Sequence, residues 1–317
     1  MSSSTTSILP SLSPPQPPQT QHLEHLSQEE QDKLKASVFQ RLHPKLYLEK
    51  YLEEEVRPDG RELGGWRGVF LNVGSISTAE GSALVRMGDT TVVCGVKAEI
   101  AEPELDREGE GFLVPNLDLP AMCSPKFKPG PPSEEAQVLS ERLNQALLTS
   151  NVLPLSSLCI ESGKAVWVLY MDATCINYDG NAFDATLLAM VAALRNTTLP
   201  QAKHDSETHQ TLCSRSKPRV PLQLANSVPI ATSFGIFDSK YVLADPTAFE
   251  EPLLDASISV VLGDGGEIIS LEQLGSVLVE DVQDGNGEWV KRDVLKECIE
   301  AARARRDVLV KEVLNGK

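Results

Sequence analysis

The sequence predicts an α+β fold: mixed β-sheets packed with helices and preceded by a helical N-terminal arm. Three observations carry this reading. Residues 66–100 break into short apolar runs, WRGVFLNVG, SALVRMG and TTVVCGVKAEI, punctuated by Gly and Ser as strands joined by turns are. Residues 184–197, DATLLAMVAALRNT, make a helical segment that is apolar on every side, with Ala where packing is tight. Such a helix is buried all round. A second set of strand-like runs, VPIATSFGIF, KYVLAD and ASISVVL, precedes a last helix within VKRDVLKECIEAARARRDVLVKEVL. One buried helix and several covering ones over mixed sheets fit a layered α+β domain.

The elements follow in order. Residues 1–21, rich in Ser, Pro, Thr and Gln, cannot bury a core and read as a disordered tail. Residues 22–56 form the arm. In it SQEE offers a capping box with Ser27 as N-cap and Glu30 reaching back, and a polar helix runs to about Leu42. Pro44, a favoured first residue, starts a second helix, PKLYLEKYLEEEV. The main domain spans 57–317 and opens on RPDGR, whose Pro, Asp and Gly are placed for a type I turn. Gly88–Asp89 is expected to be a hairpin corner, and residues 102–132 a long loop rich in Pro and Gly. Ser133 caps SEEAQVLSERLNQALLTS, a helix with Val138, Leu139, Leu143 and Leu147 near one face. Residues 200–218 read as a polar, flexible insertion, and GDGG at 263–266 as a hairpin turn, because it lacks the GxxxxGK[ST] spacing of a phosphate loop.

Charge and cysteine content narrow the function. The formal charge is −16, from 45 acidic against 29 basic residues. Such a surface favours solubility and repels nucleic acid in general, so an RNA contact must be local or shared with a partner. The six cysteines form no CxxC pair and match no zinc spacing, which fits free thiols in a reducing compartment. No apolar stretch approaches the roughly 20 residues of a membrane span, and the N-terminus lacks the basic and apolar regions of a secretory signal. An intracellular, soluble protein is expected. The five histidines, His22, His25, His43, His204 and His209, fall in the arm or the polar insertion, away from any packed site; this argues against a His-based triad or zinc centre. Ser75, Ser77 and Ser82 have no base in reach of the pattern and read as strand-end hydroxyls.

Two stretches hold acids in telling places. In ADPTAFEEPLLD, the carboxylates Asp245, Glu250, Glu251 and Asp255 could serve acid–base chemistry opposite a phosphate, but spacing alone favours a solvated acidic loop. In NYDGNAFDA, residues 177–185, a strand, a Gly turn and a helix start make a corner of the kind that holds phosphate on free helix N–H groups. Yet the turn carries Asp179 and Asp184 and no Arg, Lys or Ser.

The segments together resemble the RNase PH-type subunits of the RNA exosome. The resemblance rests on RPDGRELGGWR, GSISTAEGSALVRMGDTTVVCGVKAEI, VPNLDLP with the GPPSEEAQ helix start, VWVLYMDATCINYDGNAFDATLLAMVAAL, VPIATSFGIF and VLADPTAFEE, in that order. It implies an RNase PH-like fold and heterodimers with other RNase PH-type subunits, closing into a six-subunit ring around an RNA channel. It also implies an S1-domain cap protein and an associated hydrolytic exoribonuclease as partners, RNA met through the assembled complex, and a place in nucleus, nucleolus and cytoplasm. Active members degrade RNA by phosphorolysis and hold phosphate with an Arg in a Gly-Ser-Arg-Thr type stretch at this corner and a second Arg on the preceding helix. Ala182 and Val138 occupy those two positions here, with Arg142 one turn beyond Val138. Two missing charge-assisted contacts amount to roughly 3–6 kcal/mol, about a hundred- to ten-thousand-fold in phosphate affinity. Asp179 and Asp184 are expected to repel a dianion further, with Asp184 capping the buried helix. The resemblance therefore implies a non-catalytic ring subunit with no catalytic residue, cofactor or metal. The alternatives are a diverged phosphorolytic exoribonuclease and a free-standing α+β binding module. Lys126 and Lys128 of SPKFKPG, in a loop that approaches RNA in active relatives, and Arg142 are the candidate RNA contacts.

Overall fold

The computed structural model describes residues 27–314, except 206–207, 209, 215–216, 226 and, apart from 282–283 and 289–290, 278–292. The predicted tail, His22, His25 and His209 lie outside the described residues. Two compact units divide between Tyr51 and Leu52. In the first, α1 (Gln28–Leu42) hands over at His43 to α2 (Pro44–Glu53), as the restarting proline predicts. Phe39 of α1 meets Tyr47 of α2 edge-on with 6.1 Å between ring centroids, and Lys50 lies over the Phe39 ring.

Early in the second unit comes the RPDGR turn, where the Gly60 N–H donates to the Arg57 carbonyl and the Arg57 N–H to the Arg61 carbonyl. A six-stranded sheet follows, built from β1 (Val69–Val73), β2 (Gly81–Met87), β3 (Thr90–Ala101), β4 (Phe112–Asp118), β5 (Cys159–Glu161) and β6 (Ala165–Asn177). Its order is β1-β2-β3-β6-β4, with β5 on β6. All its pairings are antiparallel except β4 with β6, which run parallel. β4 lies inside the stretch expected to be a loop. Its sequence, FLVPNLD, carries a proline that argues against a strand, and an edge position is where such a residue is tolerated.

Helix α3 (Glu134–Thr149) starts where expected, the Ser133 hydroxyl accepting from the Ala136 N–H at 3.2 Å. It buries Ala136, Leu143, Ala146 and Leu147, whereas Val138 points outward, 58% exposed. Helix α4 (Ala182–Asn196) is buried from Ala182 to Leu194, packing on β2 and β3 on one side and on β11 of the second sheet, defined below, on the other. Close approach to β2 depends on Gly81: a Cβ there would stand 2.1 Å from the Thr197 hydroxyl and 2.7 Å from the Ala193 carbonyl.

The 200–218 insertion contains paired structure. After β7 (Thr198–Leu199), β8 (Ala202–Asp205) pairs antiparallel with β9 (Gln210–Cys213), and β10 (Val220–Pro221) returns to β7. These short strands hold few apolar residues, so no strand period shows in the sequence, although Ala202 packs against the core. The second sheet comprises β11 (Ile230–Phe237), β12 (Tyr241–Ala244), β13 (Ala256–Leu262) and β14 (Ile268–Gly275), antiparallel in the order β12-β11-β13-β14, with GDGG joining the last two. Every residue of β11 is buried, between α4 and α5 (Val294–Val308). Asp293 caps α5 by accepting from the Lys296 N–H. No described helix is long and apolar enough to cross a membrane.

Candidate functional site

The β6–α4 corner is the residue-level centre of the molecule. β6 ends at Asn177, and Gly180 turns the chain with φ +77°; a Cβ there would stand 2.5 Å from the Ala248 nitrogen. Only glycine lets the turn and the 246–248 segment approach so closely. Asn181 follows in the left-handed region, which Asn tolerates better than most residues.

Below the turn lies a buried ionic network. Asp245 receives Arg67 bidentately, Nε to Oδ2 at 2.8 Å and Nη2 to Oδ1 at 2.6 Å, plus the Arg67 backbone N–H at 3.2 Å. The same guanidinium donates to the turn carbonyls of Asp179, at 2.6 Å, and Gly180, at 3.3 Å. Burial works against the Asp245 charge, but the hydrogen bonds and charge of Arg67 outweigh it and hold the carboxyl below its ordinary value. The anion seated at this corner is thus the protein's own Asp245. Beside it, Arg57 forks onto Glu250 and donates to the Ala244 and Asp245 carbonyls, at 2.6 and 3.1 Å. The ADPTAFEE loop is therefore not a solvated acidic loop: Asp245 and Glu250 are buried, each on an arginine.

Asp184 does not cap α4, which has no side-chain cap at its N-terminus. Its carboxylate instead accepts the Ser233 N–H and hydroxyl, each at 2.8 Å, and the Asn181 Nδ2 at 2.7 Å, tying α4 to β11. Burial pushes this carboxyl up to about 6, with Asp245 adding to the shift against the opposing hydrogen bonds. Asn181 divides its amide between two acids, donating also to Asp245 at 2.7 Å.

Above the corner opens a cleft of about 940 Å³ between α3, α4 and the β13–β14 side of the second sheet. Ala182 and Val138 both lie on its wall, and so do Lys126 and Arg142; Lys128 is exposed and does not line it. The two cations are engaged. Lys126 pairs with Glu135 at 2.7 Å and lies over the Tyr178 ring, while the Arg142 guanidinium lies against the Glu272 carboxylate and over Phe183. Four acids line the cleft: Glu134, Glu135, Glu251 and Asp255. Asp179 and Asp184 do not, so repulsion of an anion arises from this second set rather than from the pair expected. Glu251 accepts the Asn181 N–H at 2.7 Å and the Tyr178 hydroxyl at 2.6 Å, and burial still leaves its carboxyl above the ordinary value. Among the described residues no group of three or more His, Cys, Asp or Glu is placed to hold a metal ion.

This geometry sits in a recognised frame. Residues 65–200 match domain 1 of the 3′ exoribonuclease family, RNase PH, and residues 227–305 match its domain 2. The chain belongs to the RNase PH family. It is 43% identical over 269 residues to exosome complex component rrp43 of Schizosaccharomyces pombe, covering 85% of this chain and 94% of that protein. It is 36% identical over 245 residues to exosome complex component Rrp42 of Methanothermobacter thermautotrophicus, covering 77% and 85%. Among solved structures, an Archaeoglobus fulgidus exosome with RNA bound to the active site superposes with a TM-score of 0.70 at 28% identity, covering 86% of this chain and 98% of that one. An archaeal exosome core gives 0.65 at 25%, covering 87% and 98%. The RNase PH-like fold expected from the sequence is the fold observed.

Within this RNase PH frame, four of the residues singled out from sequence, Lys126, Val138, Arg142 and Ala182, converge on one cleft. Sequence reasoning missed Arg57, Arg67 and Asn181. A signal was present: Arg57, Arg61 and Arg67 cluster just before the first strand, and the acid-rich ADPTAFEE supplies the opposite charge. Neither pattern says that the two stretches meet.

Proposed function

We propose that the chain is a non-catalytic ring subunit of the RNA exosome, supporting 3′-to-5′ RNA processing and decay, in rRNA maturation and mRNA turnover. The observation that carries this reading is the occupancy of the phosphate corner. Arg67, the cation that reaches the turn carbonyls, is committed to Asp245, and the cleft above offers acids and two cations already paired with carboxylates. Phosphorolysis needs a dianion held by uncommitted donors beside a proton-donating acid. Here the donors are spent and the acid is held ionised by arginine, so it has no proton to give.

In this reading the subunit pairs with another RNase PH-type subunit in a six-membered ring. It touches an S1-domain cap protein, helps recruit a hydrolytic exoribonuclease, and works in nucleus, nucleolus and cytoplasm. RNA reaches it through the assembled complex, with Lys126, Lys128 and Arg142 as candidate contacts. The competing reading, a diverged phosphorolytic exoribonuclease, is decided by incubating purified protein with RNA in phosphate buffer. No nucleoside diphosphate should be released, and Ala182→Arg should not restore activity, because one new cation would still face Glu135 and Glu251. Phosphate-dependent shortening of RNA that survives repurification would overturn the proposal.

A further inference from the structure

Along the helical arm, Phe39, His43, Tyr47 and Tyr51 recur at every fourth residue. Helical hydrogen bonding runs through the junction of α1 and α2: the His43 N–H donates to the Phe39 carbonyl at 2.8 Å and the Tyr47 N–H to the His43 carbonyl at 2.9 Å. A spacing of four therefore keeps the rings in one row. Ring centroids stand 5.9 Å apart for Phe39 and His43, 6.1 Å for Phe39 and Tyr47, and 5.0 Å for Tyr47 and Tyr51. His43 and Tyr51 are exposed, while Phe39 and Tyr47 are half-buried. Rings at this spacing also steady a helix by touching one another, so the row alone signifies little. Charge is the second observation. Residues 33–50 hold five cations, Lys33, Lys35, Arg41, Lys45 and Lys50, against one acid, Glu49: a net of four positive charges in a chain of −16. The acids of the arm collect outside this stretch, at 29–32 and 53–55. Two of the cations belong to the row. The Lys50 ammonium lies 5.2 Å from the Phe39 ring centroid, and Lys35 stands four residues before Phe39. Lys35 pairs with Asp32 at 3.1 Å, but both side chains are mostly exposed, and so open a pair holds its lysine weakly.

We infer that the arm binds single-stranded RNA, with bases stacking on the ring row and phosphates meeting Lys35 and Lys50. The inference rests on the reading of the chain as a subunit that works on RNA, and it adds a contact apart from the cleft, which no arm residue lines. Every base offers a π-face, so aromatic rings beside cations hold a strand without reading its sequence. A chain of this net charge repels nucleic acid over most of its surface, and a short basic stretch supplies the local contact that such a chain requires. From Phe39 to Tyr51 the row is about 18 Å long at helical rise. That is room for on the order of four nucleotides, the short end of such sites. A protein partner would instead favour the exposed apolar stripe of Leu34, Val38, Leu42 and Leu46, where side chains are large and uncharged.

The test uses the full chain co-purified with an RNase PH-type ring neighbour. A fluorescein-labelled oligouridylate of about 12 nucleotides is titrated by anisotropy between roughly 50 and 200 mM salt. The double variant His43→Leu, Tyr51→Leu removes two exposed rings and keeps apolar side chains; it should weaken binding on the order of tenfold. Lys35→Gln, Lys50→Gln should weaken it at the lower salt and reduce the slope of log affinity against log salt by about 1.4. Leu34→Gln, Val38→Gln, on the neighbouring apolar stripe, should change it little. Ultraviolet crosslinking of the parent complex, which depends on no variant, should mark residues 36–51. Binding without crosslinks in that stretch, or equal affinity in the parent and both arm variants, would overturn the inference. If Lys126→Gln, Arg142→Gln abolishes binding and the arm variants leave it intact, the cleft alone holds RNA; the inference then fails and the non-catalytic reading stands. Loss of the co-purified neighbour from the ring variant, with RNA affinity unchanged, would make the row a protein-docking face and overturn the inference as well.

Discussion

Asp184 is a buried carboxylate on α4 with three hydrogen bonds and, among the described residues, no ion-pair partner. Between its unfolded value of 3.8 and about 6 in the folded state, the native protein binds more protons there than the unfolded chain does. Its contribution to stability is therefore greatest below that window and declines as pH rises through it. Asp184→Asn removes the titration and keeps the outline. We expect the stability of the parent protein relative to this variant to fall by on the order of 1 kcal/mol from pH 5 to pH 6.5, then to stay level to pH 7.5. Chemical denaturation at each pH measures it, and a relative stability that rises over this range would refute the assignment. Asp245 contrasts with Asp184: a few ångströms away in the same network it stays ionised, because Arg67 faces it directly. What separates two chemically identical groups is the neighbour across the fold, and that neighbour is 178 residues away in sequence. This is why the sequence shows the acids of NYDGNAFDA and ADPTAFEE plainly but not which are buried, which are charged and which face the cleft.

Element boundaries were legible where a local chemical signal marks them. Ser133 caps α3, Pro44 starts α2, GDGG turns β13 into β14, and the unbroken apolar run of α4 shows its burial. Elements without such a signal were not. β4 carries a proline, and the β8–β9 hairpin is short and mostly polar, so pairing rather than pattern makes them strands. Val138 illustrates the same limit on α3: grouped with Leu143 and Leu147 as apolar, it lies at 100° per residue on the opposite side from Leu147, and it lines the cleft while those two are buried. Contact between elements also fixes where small residues matter. Gly81 on β2 lies so near the C-terminal end of α4 that its methylated form would overlap the Thr197 hydroxyl and the Ala193 carbonyl. Backbone cannot give way as a side chain can, so Gly81→Ala should cost about 2 kcal/mol or more and lower the melting temperature by several degrees. A variant that melts with the parent protein would mean that the α4–β2 contact is looser than these distances imply.

In each of the two larger sheets, an end strand carries exposed apolar side chains. β1 ends the six-stranded sheet with Phe70 and Val73 exposed, and β14 ends the four-stranded sheet with Ile268, Leu271 and Leu274 exposed. An unpaired edge offers a row of backbone donors and acceptors, and apolar side chains along it make that row adhesive. Natural edges are usually protected by charge, and β14 contributes only Glu272, which is held by Arg142. Two such edges in one chain suit a subunit flanked on two sides, where obligate interfaces bury on the order of 2,000 Å² or more in total. The net charge of −16 slows encounter between identical chains but does not cover those edges. The isolated chain should therefore self-associate at micromolar concentration, more strongly as added salt screens its charge, and co-expression with an RNase PH-type partner should give a soluble one-to-one complex. Light scattering on both samples decides the matter. A stable monomer that is indifferent to every such partner would mean that these edges are tolerated in solution, and the ring-subunit proposal would lose its physical basis.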